Sequence, residues 1–449
     1  MIRRITASLA AAFVVLVVAG PPASAVTPPQ VDAQAVPPTG NPGPPQPMAQ
    51  RGQCVAAGVL PGSDPRAATP NQLSLNLSQA WQHSRGDGQT VAVIDTGVQP
   101  GPRLPNVEAG GDFIEATDGL TDCDGHGTLV AGLIAGQPGD DGFSGVAPGA
   151  RLISIRQTSA KFAPRVPGTD PAEARAAVDV TSLARAVVRA ADLGARIINI
   201  SAVTCLAADK SIDQTELGAA LKYAALQKDA VIVAAAGNIR GGLAIGSTCE
   251  SNFGNWAGVT SVSIPSWWQP FVLSVGSTTA TGEPSEFTMA GPWLGIAAPG
   301  ENIVSLSNGP GGGLANGLPN DQQELFPVSG TSYAAAYVSG VAALVRSRFP
   351  DLTAAQVVHR LTATAHGAAR SPSNMVGAGG VDAVAALTWD VDDQPAFDPA
   401  AVRHVAAPPA PPAEDTTPRT IAFIGTAALA VVALTSVAIG AHRRKDTTS

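Results

Sequence analysis

The sequence predicts a doubly wound α/β fold, with a mostly parallel sheet and helices on both faces. Two observations carry this. Short apolar runs rich in β-branched residues stand at 90–95 (TVAVID), 151–156 (RLISIR), 196–201 (RIINIS) and 230–237 (AVIVAAAG). Segments with helical periodicity alternate with them, at 129–137, 180–193, 215–227, 333–349 and 354–363. A strand that is apolar along its whole length is buried on both faces, as in a parallel sheet covered by helices. Regular strand–helix alternation builds that kind of sheet, and its active residues belong at the carboxyl ends of the strands.

The segments follow in chain order. Residues 1–25 have a basic start (Arg3, Arg4), an apolar run at 9–19 and the small-residue site Ala23-Ser24-Ala25, the pattern of a cleaved secretory signal peptide. Residues 26–75 open with a Pro-rich stretch (PPTGNPGPPQP) and cannot bury a core of their own. Residues 76–388 form the body, and 389–418 a Pro-rich tether. A transmembrane helix is expected at 419–441, because 420–441 carries no charge and is long enough for a bilayer core of roughly 30 Å. The tail 442–449 begins His442-Arg443-Arg444-Lys445, so it belongs on the cytoplasmic side and the body outside.

Composition removes other classes. Hydrophobic residues make up 45% of the 449, which excludes a chain disordered throughout. The net charge is −8 with 27 Lys and Arg, so no basic stripe exists for nucleic acid. The four cysteines fit an oxidising compartment, and none has the CxxC spacing of a zinc site. Three pairings are open. Cys205 follows one strand end and Cys249 the loop after the next, which puts both on one rim of the sheet and leaves Cys54 to Cys123.

Four polar residues stand at strand ends or helix starts. Asp95 ends the first run and enters the crevice. His126 lies in Asp124-Gly125-His126-Gly127-Thr128, where the flanking glycines leave room for a substrate backbone to reach the ring. Asn238 follows AVIVAAAG and can donate an amide hydrogen bond into the crevice. Ser332 opens a long helix within GTSYAAA, where backbone N–H groups can hold an oxyanion. Singly, Asp95, Asn238 and Ser332 are of types more often found as caps and turns, while a helix-start His is as often structural as functional. Asp122 and Asp124 suggest no metal, since no second His lies three or four residues on.

Taken together, AVIDTG, DGHGT, GVAPGA, AAAGN and GTSYAAA, in that order, resemble the subtilisin-like serine proteases (subtilases) over about 310 residues. The resemblance implies a catalytic unit of Asp95, His126 and Ser332, with Asn238 and the Ser332 N–H as oxyanion donors. It also implies that Ser201, Ala202 and Val203 wall the pocket for the residue before the scissile bond. Here the chain departs from the usual Ser-Leu-Gly, and Val203 is expected to narrow access. A second departure is Ala336, where many subtilases have Pro. Neither metal nor cofactor is expected.

The flanking segments, with TDCDGHGT, RLISIRQTS, MAGPW and GTSYAAAYVSGVAALVR, are similar to the mycosins, the membrane-anchored subtilases of mycobacterial type VII (ESX) secretion. That resemblance implies a single-pass inner-membrane protein with its protease domain on the periplasmic side. Its implied partners are exported protein substrates and the core membrane components of the ESX complex. The alternative is mainly structural support of that complex with little proteolysis. The 136–142 loop is short, so an insertion found in some mycosins is absent. The extension 26–75 is expected to stay attached as a strap held by Cys54. The Gly-rich 309–317 stretch reads as a flexible rim loop and lacks the Lys-Ser/Thr of a phosphate loop. Trp267 and Trp268 read equally as substrate contacts or a surface pair. Asp140 and Asp141 read as a solvated acidic turn.

Overall fold

The computed structural model describes residues 26–392, apart from 167, 169, 240–248, 321 and 370, together with 417–445. The signal peptide, most of the tether and the last four residues lie outside the described residues.

The main sheet has seven strands, numbered here in chain order: β1 Thr90–Asp95, β2 Val107–Asp112, β3 Arg151–Arg156, β4 Ile197–Ile200, β5 Val231–Ala235, β6 Val272–Thr278 and β7 Leu294–Pro299. Their order across the sheet is β7-β6-β5-β4-β1-β3-β2. Every neighbouring pair is parallel. The four apolar runs are the strands β1, β3, β4 and β5 in the middle. The strands not predicted are those nearer the edges, β2, β6 and β7. Their sequences (VEAGGD, VLSVGST, LGIAAP) interleave Gly, Ala, Ser and Pro and carry little β-propensity of their own. Neighbouring strands and burial decide them.

The main helices are α1 His126–Ala135, α2 Pro171–Asp192, α3 Thr215–Lys222, α4 Thr331–Arg348, α5 Ala354–Ala363 and α6 Ala383–Thr388. Residues Tyr223–Gln227, expected to continue α3, wind as a π-helix. Helix α2 begins nine residues before its predicted start. Asp170 accepts hydrogen bonds from the N–H groups of Ala172 and Glu173, and Pro171 holds the first turn. Its polar opening (PAEARA) hid the apolar period.

Alternation along β1 builds two cores. Val91 and Val93 belong to one apolar cluster with Leu129, Leu133, Val338 and Val341 of α1 and α4. Ala92 and Ile94 belong to the other, with Leu183, Val187 and Leu217 of α2 and α3. Each fully buried aliphatic side chain of this kind contributes roughly 1.5–3 kcal/mol of transfer free energy. The sheet is therefore pinned from both sides, and the carboxyl ends of its strands stay fixed.

The extension is laid along this body. Gly43 donates from its N–H to the Asp112 carbonyl at 2.8 Å. Met48–Gln50 pairs antiparallel with Phe162–Pro164. The Val55 N–H reaches the Cys123 carbonyl at 2.9 Å, and Gly58 exchanges backbone bonds with Gly317. The 309–317 stretch is accordingly no free rim loop. Leu314–Ala315 pairs with Ser305–Leu306, and the Asn316 side chain binds the Leu60 N–H at 2.8 Å. The Asp140–Asp141 turn is not simply solvated either, because Asp141 forms an ion pair with Arg103 at 2.8 Å. Trp267 and Trp268 both donate their indole N–H to Gln214 Oε1, at 3.1 and 2.8 Å, and Trp268 is buried.

Residues Thr417–Lys445 form a separate 29-residue helix, of which the side chains at 423–436 and 438 are described. Among the described residues no helix is long and apolar enough to cross a membrane.

Candidate active site

Asp95 is the last residue of β1 and is fully buried. His126 is the first residue of α1, on the neighbouring segment. The two meet at 2.7 Å between Asp95 Oδ1 and His126 Nδ1. The same carboxylate oxygen accepts the Thr96 N–H at 2.8 Å. A carboxylate on Nδ1 fixes the tautomer and leaves Nε2 as the basic nitrogen. Burial pushes the His126 pKa down, but the Asp95 charge and hydrogen bond outweigh it, so the net shift is upward.

The glycines beside His126 serve a purpose different from the one expected. Gly125 has φ +77°, and a Cβ there would lie 3.0 Å from both Asn308 and Leu318. A Cβ on Gly127 would overlap the Gly97 carbonyl oxygen. Both bare positions are filled by the protein's own packing, and that packing brings the histidine loop against the end of β1.

Ser332 is the second residue of α4. Its Oγ donates to the Ser201 carbonyl at 3.0 Å, and Ser201 Oγ donates back to the Ser332 carbonyl at 3.1 Å. Among the described residues the hydroxyl makes no hydrogen bond to His126; it rests on the end of β4. The adjoining Tyr333 ring lies against the imidazole, centroids 5.3 Å apart. Burial, together with Asp95 and Asp122, holds the Tyr333 hydroxyl well above its usual pKa, so it stays neutral. Behind Ser201, Asn199 Nδ2 donates to Ser201 Oγ and Ser339 Oγ donates to Asn199 Oδ1, each at 2.8 Å. This chain ties the first and third turns of α4 to β4.

Asn238 follows β5. Its Oδ1 accepts from the Thr331 N–H at 3.0 Å and from Thr331 Oγ1 at 3.1 Å. Two donors on the oxygen settle which end of the amide is which, so Nδ2 is the free donor beside Gly330. Ser201, Ala202 and Val203 are all buried, and Val203 packs in the α1/α4 apolar cluster. Cys54 is bonded to Cys123 with a Cα–Cα distance of 4.4 Å, and Cys205 to Cys249 at 5.3 Å.

Sequence reasoning overlooked a polar layer under His126. Asp122 Oδ1 accepts from Thr96 Oγ1 (2.8 Å) and from the N–H groups of Asp124 (3.1 Å) and Gly125 (2.8 Å). Its Oδ2 accepts from the Thr128 N–H (2.9 Å) and Thr128 Oγ1 (2.7 Å). Asp124 is taken by Ser159 and the Ala160 N–H. Both Asp122 oxygens are filled by donors, which leaves no acceptor for a cation. Among the described residues no group of His, Cys, Asp or Glu has a metal-holding arrangement. The signal for this layer was the pair of threonines in AVIDTG and DGHGT.

A strand-end acid bonded to a helix-start histidine, with a helix-start serine and a strand-end asparagine nearby, suits acyl transfer. A family model described as the subtilase family matches residues 86–379. Mycosin-3 of Mycobacterium tuberculosis is 62% identical over 460 residues, covering 100% of both chains. The structure of the MycP3 protease from the type VII (ESX-3) secretion system is 74% identical with a TM-score of 0.79, over 81% of this chain and 100% of that one. A chain in the structure of an intact ESX-5 inner membrane complex is 45% identical with a TM-score of 0.78, over 92% and 100%. The chain belongs to the subtilase family of serine endopeptidases, and within it to the mycosins.

Proposed function

We propose that this chain is a serine endopeptidase of a type VII secretion system, cleaving exported proteins while fixed in the secretion complex. The observation that carries the catalytic part is the 2.7 Å Asp95–His126 bond beside the Ser332 helix start. In this reading Ser332 Oγ leaves the Ser201 carbonyl, which it holds at 3.0 Å, and turns to His126. Nε2 then removes its proton as Oγ attacks the peptide carbonyl. Asp95 stabilises the imidazolium without taking the proton. Asn238 Nδ2 and the Ser332 N–H hold the oxyanion, and His126 returns the proton to the leaving amine. Fluorophosphonate treatment of the full chain tests this reading. It predicts one adduct, on Ser332, which is lost in His126→Ala; an adduct elsewhere, or none, contradicts it.

Identity favours an ESX-3-type system: 62% to Mycosin-3 against 47% to Mycosin-1 of the same organism. The likeness to a chain of the ESX-5 inner membrane complex supports a place beside core membrane components. In this reading the uncharged run 420–441, part of which lies outside the described side chains, crosses the inner membrane. Its exposed Phe423, Ile424, Leu429, Val432 and Leu434 support a span, and the basic residues at the end of the helix, Arg443, Arg444 and Lys445, support the orientation with the body periplasmic. A mainly structural role is the second reading, supported by the extensive hydrogen bonding that keeps the extension in place.

A further inference from the structure

Below His126 lies a buried carboxylate that the triad chemistry leaves unused. We propose that Asp122 is a positioning residue for the reaction, clamping the loop that carries His126 to the strand end that carries Asp95. The proposal rests on the triad reading above.

The argument is geometric. Asp122 is only 6% exposed and accepts five hydrogen bonds. A carboxylate has about four lone-pair sites, so both oxygens are saturated. A simple capping residue would account for the bonds from Asp124, Gly125 and Thr128, which flank the start of α1. It would not account for Thr96, 26 residues earlier and next to Asp95. Thr96 Oγ1 donates to Asp122 and in turn accepts the Gly127 N–H at 2.9 Å. The residues following both partners of the Asp95–His126 bond are thereby tied to each other and to one carboxylate. Gly97 and Gly127 close the same joint by backbone contact. Thr128 Oγ1 also accepts the Gln99 N–H at 3.0 Å, which extends the clamp one turn beyond the strand.

Charge adds a second effect. Asp95, Asp122 and Asp124 all favour the protonated imidazole. The other groups here are Tyr333 of α4, which stays neutral, and Lys161 and Arg156, which act on Asp124. Burial raises the Asp122 pKa to about 6, against its bonds from Thr128 and Thr96, so it is charged at the pH where His126 acts as base. Removing that charge moves the His126 titration to lower pH.

The test is the rate of fluorophosphonate labelling of the full chain between pH 5 and 9, in wild type, Asp122→Asn, Thr96→Val and Thr96→Ser. Asp122→Asn is expected to label roughly 10–100-fold more slowly at its plateau, since small misplacements of catalytic groups cost that much. Its acid limb is expected to fall by about half a pH unit or more. Thr96→Val should label more slowly with the limb unmoved, and Thr96→Ser should recover most of the rate. Asp122→Asn at the wild-type rate with the wild-type limb overturns the proposal. So does a loss that merely matches its unfolded fraction while the limb stays put. If Asp122→Asn does not fold, equal wild-type rates in both Thr96 variants overturn it. Absence of labelling in the wild type fails the triad reading itself, and the proposal with it.

Discussion

At the scale of residues, catalysis depends on a few orientations set by hydrogen bonds. Asn238 is held through its oxygen by Thr331, which leaves its nitrogen beside Gly330 for the oxyanion role proposed above. Asn238→Ala should lower kcat by roughly 10²–10³-fold with little change in KM, the size known for the corresponding donor of subtilisin. Peptide-cleavage kinetics check this, and a loss confined to KM would contradict it. The His126 shift sets the pH dependence. Its base form is the deprotonated one, and its pKa lies above the ordinary histidine value. Activity should therefore be lost as pH falls, with an acid limb above about 6.5. A pH–kcat/KM profile with its acid limb below that value would contradict the Asp95 coupling. The candidate residues were legible as polar side chains at the edge of apolar segments: Asp95 and Asn238 follow buried strands, and His126 and Ser332 open buried helices. Asp122 and Thr96 were not legible as partners, because their meaning lies in a contact between segments that only the folded chain brings together.

At the scale of elements, the central strands and the helices α1 and α4 were readable because burial on all sides makes most of their length apolar. Helices α1 and α4 nevertheless begin earlier than their periodicity suggests, at His126 and Thr331. Those polar first turns hold the candidate residues His126 and Ser332, so the apolar pattern starts only after them. The extension shows the opposite case. Its Pro-rich sequence has no period to read, yet it is docked through backbone bonds along 43–58 and through Cys54–Cys123. The bridge lies three residues before His126 and spans 69 residues of chain. We expect the membrane-bound chain to keep this segment and to begin near Val26. Cys54→Ser should then lower stability by roughly 2–4 kcal/mol, seen as a lower denaturation midpoint. N-terminal sequencing that finds a start near residue 75, with no disulfide-held 26–75 peptide, would contradict the strap.

At the scale of the whole molecule, the chain combines a rigid protease body, a strap that adds no core of its own, and a terminal helix of 29 residues. A digestive protease needs none of the last two. The proposed anchor and the strap suit an enzyme that works at a fixed station, and the proposal is that catalysis and station are separable. One measurement tests this most directly: replace the chain by Ser332→Ala at normal level and score substrate processing, secretion and complex integrity in the same cells. The account predicts that processing stops while the complex stays intact and secretion continues. If Ser332→Ala abolishes secretion as fully as deletion of the chain, or if processing continues without the Ser332 hydroxyl, the account is contradicted.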